Sequence, residues 1–181
     1  MRLRKASEAD VPALLALING YAERGLLLVR TEASIRARLA DFTVAEVDGA
    51  LAGCAALTEL GPGLAEVRSL AVRDDFAGRG IGHALVETLM DEAGRRGFHE
   101  VLALTRRTSF FDALGFTATR RERFLDKLMV DCQACPMNLC CDGTAMVRTP
   151  NRNGFTTEGA EANGEGAENQ SAVAPRVARS S

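Results

Sequence analysis

The sequence predicts a mixed α/β fold in which helices pack against a sheet. Two observations lead to this prediction: antiparallel strands joined by glycine turns follow the first helices, and a strand–helix–strand crossover comes after them. The 181 residues are 46% hydrophobic and 25% charged, a composition typical of a globular domain. We expect that domain to span residues 1–149.

The chain begins with a short predicted strand near Leu3 and then two helices. Ser7 is typical of an N-cap, since a hydroxyl can accept a free backbone N–H at the start of a helix. Apolar residues then recur with the period of one buried helical face, at Val11, Leu14, Leu15, Ile18 and Tyr21. Thr31 is the predicted cap of a second helix, which contains Ile35 and Leu39.

A hairpin follows these helices. The apolar runs FTVAEV and ALAGCAALTEL flank Asp48-Gly49, and Asp-Gly between two such runs is typical of a two-residue hairpin turn. A second turn at Gly61-Pro62-Gly63 leads into LAEVRSLAVR, so we expect three consecutive antiparallel strands here.

The crossover begins where this third strand ends, at Val72. We expect a helix from roughly Ile81 to Arg96, then a strand in VLALT and a short helix near Phe110–Leu114. Strands at Phe116–Thr119 and in AMVRT complete the sheet.

Three glycines lie between the crossover strand and its helix: Gly78, Gly80 and Gly82. Glycine lets a backbone approach a ligand closely, and a helix N-terminus offers free N–H groups and a positive dipole end. This arrangement suits a phosphate or pyrophosphate, although a tight turn without a ligand would use the same residues.

The segment SLAVRDDFAGRGIGHALVETLMDEAGRRGF, followed by VLALT and FFDALGF, resembles the GCN5-related N-acetyltransferase (GNAT) superfamily. The resemblance implies a mostly antiparallel sheet with helices on both faces, acetyl-CoA as co-substrate and no required metal. Ala77 departs from the family signature, which has Arg or Gln at that position. By resemblance, the co-substrate contacts are the pantetheine-binding strand residues Leu70, Ala71 and Val72, and the pyrophosphate-binding loop residues Gly78, Arg79, Gly80, Ile81 and Gly82.

A second resemblance concerns the acceptor. LLLVRTEASI, AEVRSLAV and LTRRTSFFDALGF are similar to the acetyltransferase module of short bacterial N-acetylglutamate synthases. This implies direct transfer of acetyl to the α-amino group of L-glutamate, the first step of arginine biosynthesis. The alternatives are another amine, such as glutamine or a protein N-terminus, and a non-catalytic metal-binding or partner-binding module on the same fold.

Glutamate has two carboxylates, which favour the bidentate guanidinium of arginine. Arg30 matches an arginine of the synthase pattern. Arg107, at the C-terminal end of the VLALT strand, is expected at the acceptor mouth. Its neighbour Arg106 is an alternative to Arg107, and Arg68 is a second choice for holding a carboxylate.

Glu66 is the candidate general base that removes the proton of the acceptor ammonium. Because side chains alternate along a strand, we expect Glu66, Arg68, Leu70 and Val72 on one face, where apolar neighbours would favour a base near neutrality. The simpler interpretation is that Glu66 and Arg68 only pair with each other. We expect Tyr21 to be a core residue.

Four of the five cysteines lie close together, at Cys132, Cys135, Cys140 and Cys141. Reduced thiols are the expected state, with a zinc or iron–sulfur site and a local disulfide as alternatives. The N-terminus lacks the apolar core of a secretory signal, so we expect a cytoplasmic protein.

The formal charge of −2 and the pI near 5.8 argue against a nucleic-acid or membrane surface. Residues 150–181 contain few large apolar side chains, so we expect a disordered tail there. The partner is expected to be a small molecule, L-glutamate or an analogue, and a homodimer is an open alternative to a monomer.

Overall fold

A computed structural model describes residues 1–124 and 142–151, and within these ranges the chain forms one sheet with helices against it. The strands are β1 (Arg2–Lys5), β2 (Phe42–Val47), β3 (Ala50–Gly61), β4 (Leu64–Val72), β5 (Glu100–Thr105), β6 (Thr117–Thr119) and β7 (Thr144–Arg148). The α-helices are α1 (Val11–Glu23), α2 (Glu32–Arg36), α3 (Ile81–Arg95) and α4 (Thr108–Asp112).

The strand order is β1-β2-β3-β4-β5-β7-β6. Every neighbouring pair is antiparallel except β4–β5, which is parallel. Helix α3 makes the crossover between the two parallel strands, since parallel neighbours need a connection that returns to the same end of the sheet. The predicted mostly antiparallel mixed sheet is confirmed.

Helices cover both faces of the sheet, as predicted. On one face, the core around α3 includes Leu85, Leu89 and Phe111. On the other face, α1 contributes Val11, Leu14 and Ile18 to a second core, and these three side chains are 0% exposed.

Local geometry follows the turn chemistry of the sequence in the first hairpin. Asp48 and Gly49 have φ of 51° and 78°, the left-handed pair that a two-residue hairpin turn requires. Two boundaries differ from prediction. Leu39 does not extend α2 but begins a separate 3-10 turn at Leu39–Asp41, and α4 begins at Thr108, two positions before the predicted Phe110.

The N-terminus of α1 is organised around Asp10 rather than a simple Ser7 cap. A 3-10 turn at Glu8–Asp10 precedes the helix, and the Asp10 carboxylate accepts the Ser7 backbone N–H at 2.7 Å and the Ser7 hydroxyl at 2.8 Å. Arg4 donates two further bonds to Asp10, at 2.7 and 2.9 Å. Its guanidinium holds the pKa of Asp10 well below the usual range, so β1 and α1 are joined by a charge pair.

The last described residues pack against the C-terminal end of α3. A Cβ on Gly94, near the end of α3, would overlap the backbone of Asn151. Glycine at this position therefore lets the chain after β7 lie directly on the helix. In the described ranges, no helix combines the length and apolar character that a membrane crossing demands.

Candidate active site

A gap opens in the middle of the sheet, between the two parallel strands. Strand β4 pairs with β5 only from Leu64, opposite Glu100, to Val67, opposite Ala103. Beyond this point β5 remains paired with β7, whereas the rest of β4 is paired only with β3. The second half of β4 therefore has one open edge, which faces the space between the diverging strands.

A bulge at Ser69 separates the two halves of β4. Ser69 has φ of 51°, and the register with β3 shifts between Ala56, opposite Arg68, and Cys54, opposite Ala71. The extra residue is a β-bulge, which bends a strand and increases its twist.

The bulge corrects the prediction that Glu66, Arg68, Leu70 and Val72 share one face. Leu70 and Val72 pack on the α3 side together with Val67. An inserted residue reverses the alternation of side chains, so Glu66 and Arg68 lie on the face opposite to Leu70 and Val72. Leu70 and Val72, the apolar neighbours predicted for Glu66 on its own strand, therefore lie on the opposite face of the sheet from Glu66.

The open edge of β4 presents backbone polar groups to the gap. The Arg73 N–H donates to the Ala52 carbonyl of β3 at 2.9 Å. Across a trans peptide the carbonyl of the preceding residue points the opposite way, so the Val72 carbonyl points into the gap. The Val72 N–H points to the same side as its own carbonyl, because a strand residue directs both groups to one neighbour.

The glycine turn follows directly. Gly78 and Gly80 have φ of 74° and 75°, and Gly80 is the residue before α3. The first helical bond is donated by the Ala84 N–H to the Gly80 carbonyl at 3.0 Å. The N–H groups at the beginning of α3 are therefore free of helical acceptors and suited to an anion. Ile81 is 2% exposed and fixes this end of the helix in the core.

Two guanidiniums lie at the turn, both against the ring of Phe76. Arg73 and Arg79 lie over the Phe76 ring at 5.1 and 5.0 Å from its centroid. Arg79 also donates to the Asp75 carbonyl at 3.1 Å, and Arg73 donates to the Asp75 carboxylate at 2.6 and 3.1 Å. The loop thus has one guanidinium before the glycines, on Arg73, and one between Gly78 and Gly80, on Arg79, although Ala77 supplies no charge.

On the α1 side of the sheet, Glu66 and Arg68 form an ion pair through the Arg68 Nε. Glu66 is 3% exposed as a residue, and the Arg68 side chain is 15% exposed. The pairing that the sequence offered as the simpler interpretation is therefore present. It does not decide whether Glu66 also handles a proton.

The structure distinguishes the neighbours Arg106 and Arg107. Arg106 binds the Asp142 carboxylate and donates to the Gly25 carbonyl at 2.7 Å, so it joins the loop after α1 to the chain before β7. Arg107 is exposed and precedes α4, and its backbone N–H donates to the Thr105 hydroxyl at 2.9 Å.

Arg30 lies in the same loop after α1 and is half-buried. Asn19 of α1 holds its backbone, accepting the Arg30 N–H at 2.9 Å and donating to the Arg30 carbonyl at 3.0 Å. Since Arg106 contacts Gly25 of this loop, the segment containing Arg30 and the end of β5 lie on the same side of the molecule.

Two further residues border the gap, and the sequence did not identify them. Tyr21 packs against the second core, as predicted, and its hydroxyl also donates to the Val72 carbonyl at 2.6 Å. The Phe110 ring lies 3.4 Å from where a Cβ on Gly82 would be, and Val72 is next to the same point. The helical period of the sequence predicts Tyr21 on the apolar face of α1. The position of that face beside the end of β4 depends on how α1 packs on the sheet.

Cys54 lies beneath the bulge, with its thiol 3.5 Å from the Ser69 carbonyl. It is 0% exposed, which confirms the predicted small core residue, and burial raises the pKa of the thiol to about 12. Within the described ranges no group of His, Cys, Asp and Glu side chains could hold a metal. Cys132, Cys135, Cys140 and Cys141 lie outside these ranges.

A family model described as Acetyltransferase (GNAT) family matches residues 16–118. The match includes the diverging strands, the bulge and the glycine turn. The chain belongs to the GNAT family of acetyltransferases. It is therefore an acyltransferase with acetyl-CoA as co-substrate, and helix α3 and its glycine turn lie within the matched region.

Two proteins of similar sequence agree with the assignment to the acetyltransferases. The chain is 38% identical over 147 residues to an uncharacterized N-acetyltransferase of Chlorobaculum tepidum, covering 81% of this chain and 95% of that protein. It is 37% identical over 118 residues to an amino-acid acetyltransferase of Mycobacterium tuberculosis, covering 64% of this chain and 67% of that protein.

Among solved structures, the chain is similar to N-acetylglutamate synthase from Neisseria gonorrhoeae, complexed with coenzyme A and N-acetyl-glutamate. The TM-score is 0.75 and the identity 28%, over 83% of this chain and 35% of the synthase. A Mycobacterium tuberculosis protein solved with CoA is also similar, with TM-score 0.72 and 28% identity over 82% of this chain and 99% of that one. The chain therefore spans about a third of the Neisseria synthase.

Proposed function

We propose that this GNAT protein transfers the acetyl group of acetyl-CoA to the α-amino group of an amino acid, and that the acceptor is L-glutamate. The observation behind this proposal is the exposed residue Arg107, just after the end of β5, together with Glu66 and Arg68 on β4, the other strand that borders the gap. An acceptor with two carboxylates and one ammonium needs cations and a base in this arrangement. The names of the M. tuberculosis relative and of the Neisseria synthase support an amino-acid acceptor.

In this proposal the co-substrate lies along the open edge of β4. The backbone groups of Leu70, Ala71 and Val72 that point into the gap would bind the amides of pantetheine. The free N–H groups of the turn, from Gly78 through Arg79, Gly80 and Ile81 to Gly82, would bind the pyrophosphate. Arg79 adds positive charge that the main chain alone does not supply.

The acceptor would enter from the side where the loop after α1 meets the end of β5. Arg107 would bind one carboxylate of glutamate and Arg30 the other, with Arg68 as the alternative partner. Arg106 has a different role, since it already joins Gly25 to Asp142. Arg107 would thus recognise the acceptor, whereas Arg106 would hold together the chain segments beside the site.

Transfer would proceed directly, without an acyl-enzyme. Glu66 would take a proton from the acceptor ammonium, directly or through water. The neutral amine nitrogen would then attack the acetyl carbonyl carbon, and the carbon–sulfur bond would break. The nitrogen would lose its second proton as the amide forms, and the departing CoA thiolate would take up a proton to leave as the free thiol. An acetyl-cysteine intermediate on Cys54 is disfavoured because burial keeps its thiol protonated.

A glutamate acceptor would make the product N-acetylglutamate and assign the protein to arginine biosynthesis. The test is steady-state release of free CoA thiol from acetyl-CoA across the twenty amino acids, with a peptide bearing a free N-terminus as a further acceptor. We expect glutamate-dependent release well above hydrolysis, and product mass should identify acetylation at the α-nitrogen.

Other outcomes of this assay contradict the proposal at different levels. Turnover with glutamine but not glutamate would retain the mechanism and overturn the acceptor. Turnover with the peptide alone would replace the amino-acid acceptor by a protein N-terminus. Silence with every acceptor, together with failure to bind CoA, would favour a non-catalytic module.

A further inference from the structure

The end of β4 is held by α1 at the open edge, where a neighbouring strand would otherwise be. Tyr21, in the last turns of α1, donates its hydroxyl proton to the Val72 carbonyl at 2.6 Å. That carbonyl points into the gap, because the Arg73 N–H of the same peptide is donated to Ala52 on the other side. Tyr21 thus occupies the position of a missing β5 donor.

This contact matters because the second half of β4 is otherwise supported on one side. Past the Ser69 bulge, the strand has β3 as its one paired neighbour. A strand with a bulge and a single partner twists more freely than one with two. The Tyr21 bond fixes the Val72–Arg73 peptide plane at the end of β4, and it thereby limits rotation at Val72, whose N–H belongs to the adjoining peptide.

The tyrosine is itself held in place. The Arg24 guanidinium stacks over the Tyr21 ring at 4.2 Å from the centroid, and the same guanidinium contacts the Asp74 carboxylate at 3.2 Å. Asp74 begins the 3-10 turn Asp74–Phe76 that precedes the glycines. The end of α1 therefore contacts the chain on both sides of Arg73, where the open edge becomes the glycine turn.

We propose that Tyr21 is a positioning residue for acetyl-CoA, which acts by fixing the Val72 peptide so that the open edge of β4 accepts the pantetheine arm. Tyr21 is the single tyrosine of the chain, so no other phenol can replace it. The proposal rests on the proposed co-substrate site, but not on the identity of the acceptor.

The test compares CoA with adenosine 3′,5′-bisphosphate, which lacks the pantetheine arm and the pyrophosphate, in titration calorimetry. Tyr21→Phe keeps the ring and its stacking with Arg24 and removes only the hydroxyl. We expect CoA to bind about three- to tenfold more weakly, as for the loss of one hydrogen bond. Adenosine 3′,5′-bisphosphate should bind within about twofold of wild type, because it does not reach Val72.

Arg120→Gln is the control, since it retains both Tyr21 and Arg24 and removes an ion pair whose partners are 87% and 70% exposed. Exposed pairs contribute little, so CoA should bind this variant within about twofold of wild type. Steady-state kinetics of Tyr21→Phe should give a raised KM for acetyl-CoA and an unchanged KM for the acceptor.

Three results would overturn the proposal. CoA binding to Tyr21→Phe at wild-type strength would show that the hydroxyl has no part in it. An equal loss for both ligands, or a fall in thermal stability that accounts for the weaker binding, would make Tyr21 a structural residue. Failure of the wild-type protein to bind CoA would instead remove the co-substrate site itself.

Discussion

At the scale of single residues, Glu66 combines two properties that are seldom found together. It is 3% exposed and paired with Arg68, yet it lies on the strand that borders the gap. A buried carboxylate with a cationic partner either stabilises the fold or serves the reaction, and mutation can separate these two roles.

We predict that Glu66→Gln lowers kcat by about 10²- to 10⁴-fold, the usual contribution of a positioned general base, and leaves the KM for acetyl-CoA unchanged. Arg68→Gln is the control, because it breaks the same pair and retains the base. Equal loss of activity and stability in both variants would assign Glu66 to the ion pair alone.

Arg107 differs from Arg106 although the two are adjacent, because Arg106 already has Asp142 and Gly25 as partners. We predict that Arg107→Ala raises the acceptor KM about 10- to 100-fold, as expected for the loss of a charged hydrogen bond, with acetyl-CoA affinity unchanged. The measurement is a two-substrate kinetic matrix.

Arg120→Ala is the matched control for this prediction, since the Arg120 side chain is 87% exposed. It should have wild-type KM values for both substrates. If Arg107→Ala weakened both substrates equally, Arg107 would have a structural role and would not recognise the acceptor.

At the scale of elements, the turn between β3 and β4 depends on one glycine. Gly63 has φ of +74°, and a Cβ there would overlap the His99 ring. The backbone N–H groups of His99 and Glu100 both donate to the Gly63 carbonyl, at 2.7 and 3.1 Å. This turn therefore aligns the start of β5 with the start of β4, from which the two strands later diverge.

We predict that Gly63→Ala lowers the free energy of unfolding by about 2–5 kcal/mol, from left-handed strain and overpacking together. Gly49→Ala is the matched control, because Gly49 has φ of +78° and open space around it. It should cost about 1–2 kcal/mol, the strain alone. Urea denaturation measures both, and equal losses would contradict the proposed overlap with His99.

The sequence predicted the elements well where local chemistry determines them. The Asp48-Gly49 hairpin and helix α3 are local features, formed by turn residues and helical periodicity. The face of Leu70 and Val72 was wrong because the bulge at Ser69 is a property of strand pairing. Serine with positive φ has no local signature of the kind that glycine gives, so alternation was extended through the irregularity.

The site was predictable to a similar extent. The glycine turn could be located from spacing and from resemblance, since it is contiguous in the chain. The contact of Arg106 with Asp142, which distinguishes Arg106 from Arg107, joins residues 36 positions apart. The contact of Tyr21 with Val72 joins residues 51 positions apart. Such contacts depend on how helices dock on the sheet, which a single sequence does not specify.

At the scale of the whole molecule, the acetyltransferase domain is proposed to end at residue 149. We predict that a chain truncated after Asn151 has the melting temperature and kcat of the full-length protein, because residues 1–151 include both cores and every proposed site residue. Thermal melting and acetyl-CoA turnover are the measurements. A truncated chain that melts earlier or loses turnover would extend the functional unit into residues 152–181.

The packing of Asn151 against Gly94 also decides how the protein can be handled on a sensor or a bead. Gly94 lies fourteen positions beyond Gly80, which along a helix is about 21 Å from the glycine turn. An affinity handle joined after Asn151 would leave the molecule beside the far end of α3. Immobilisation directly after Asn151 should therefore keep the mouth of the gap accessible to both reactants, whereas attachment through α1 would obstruct it.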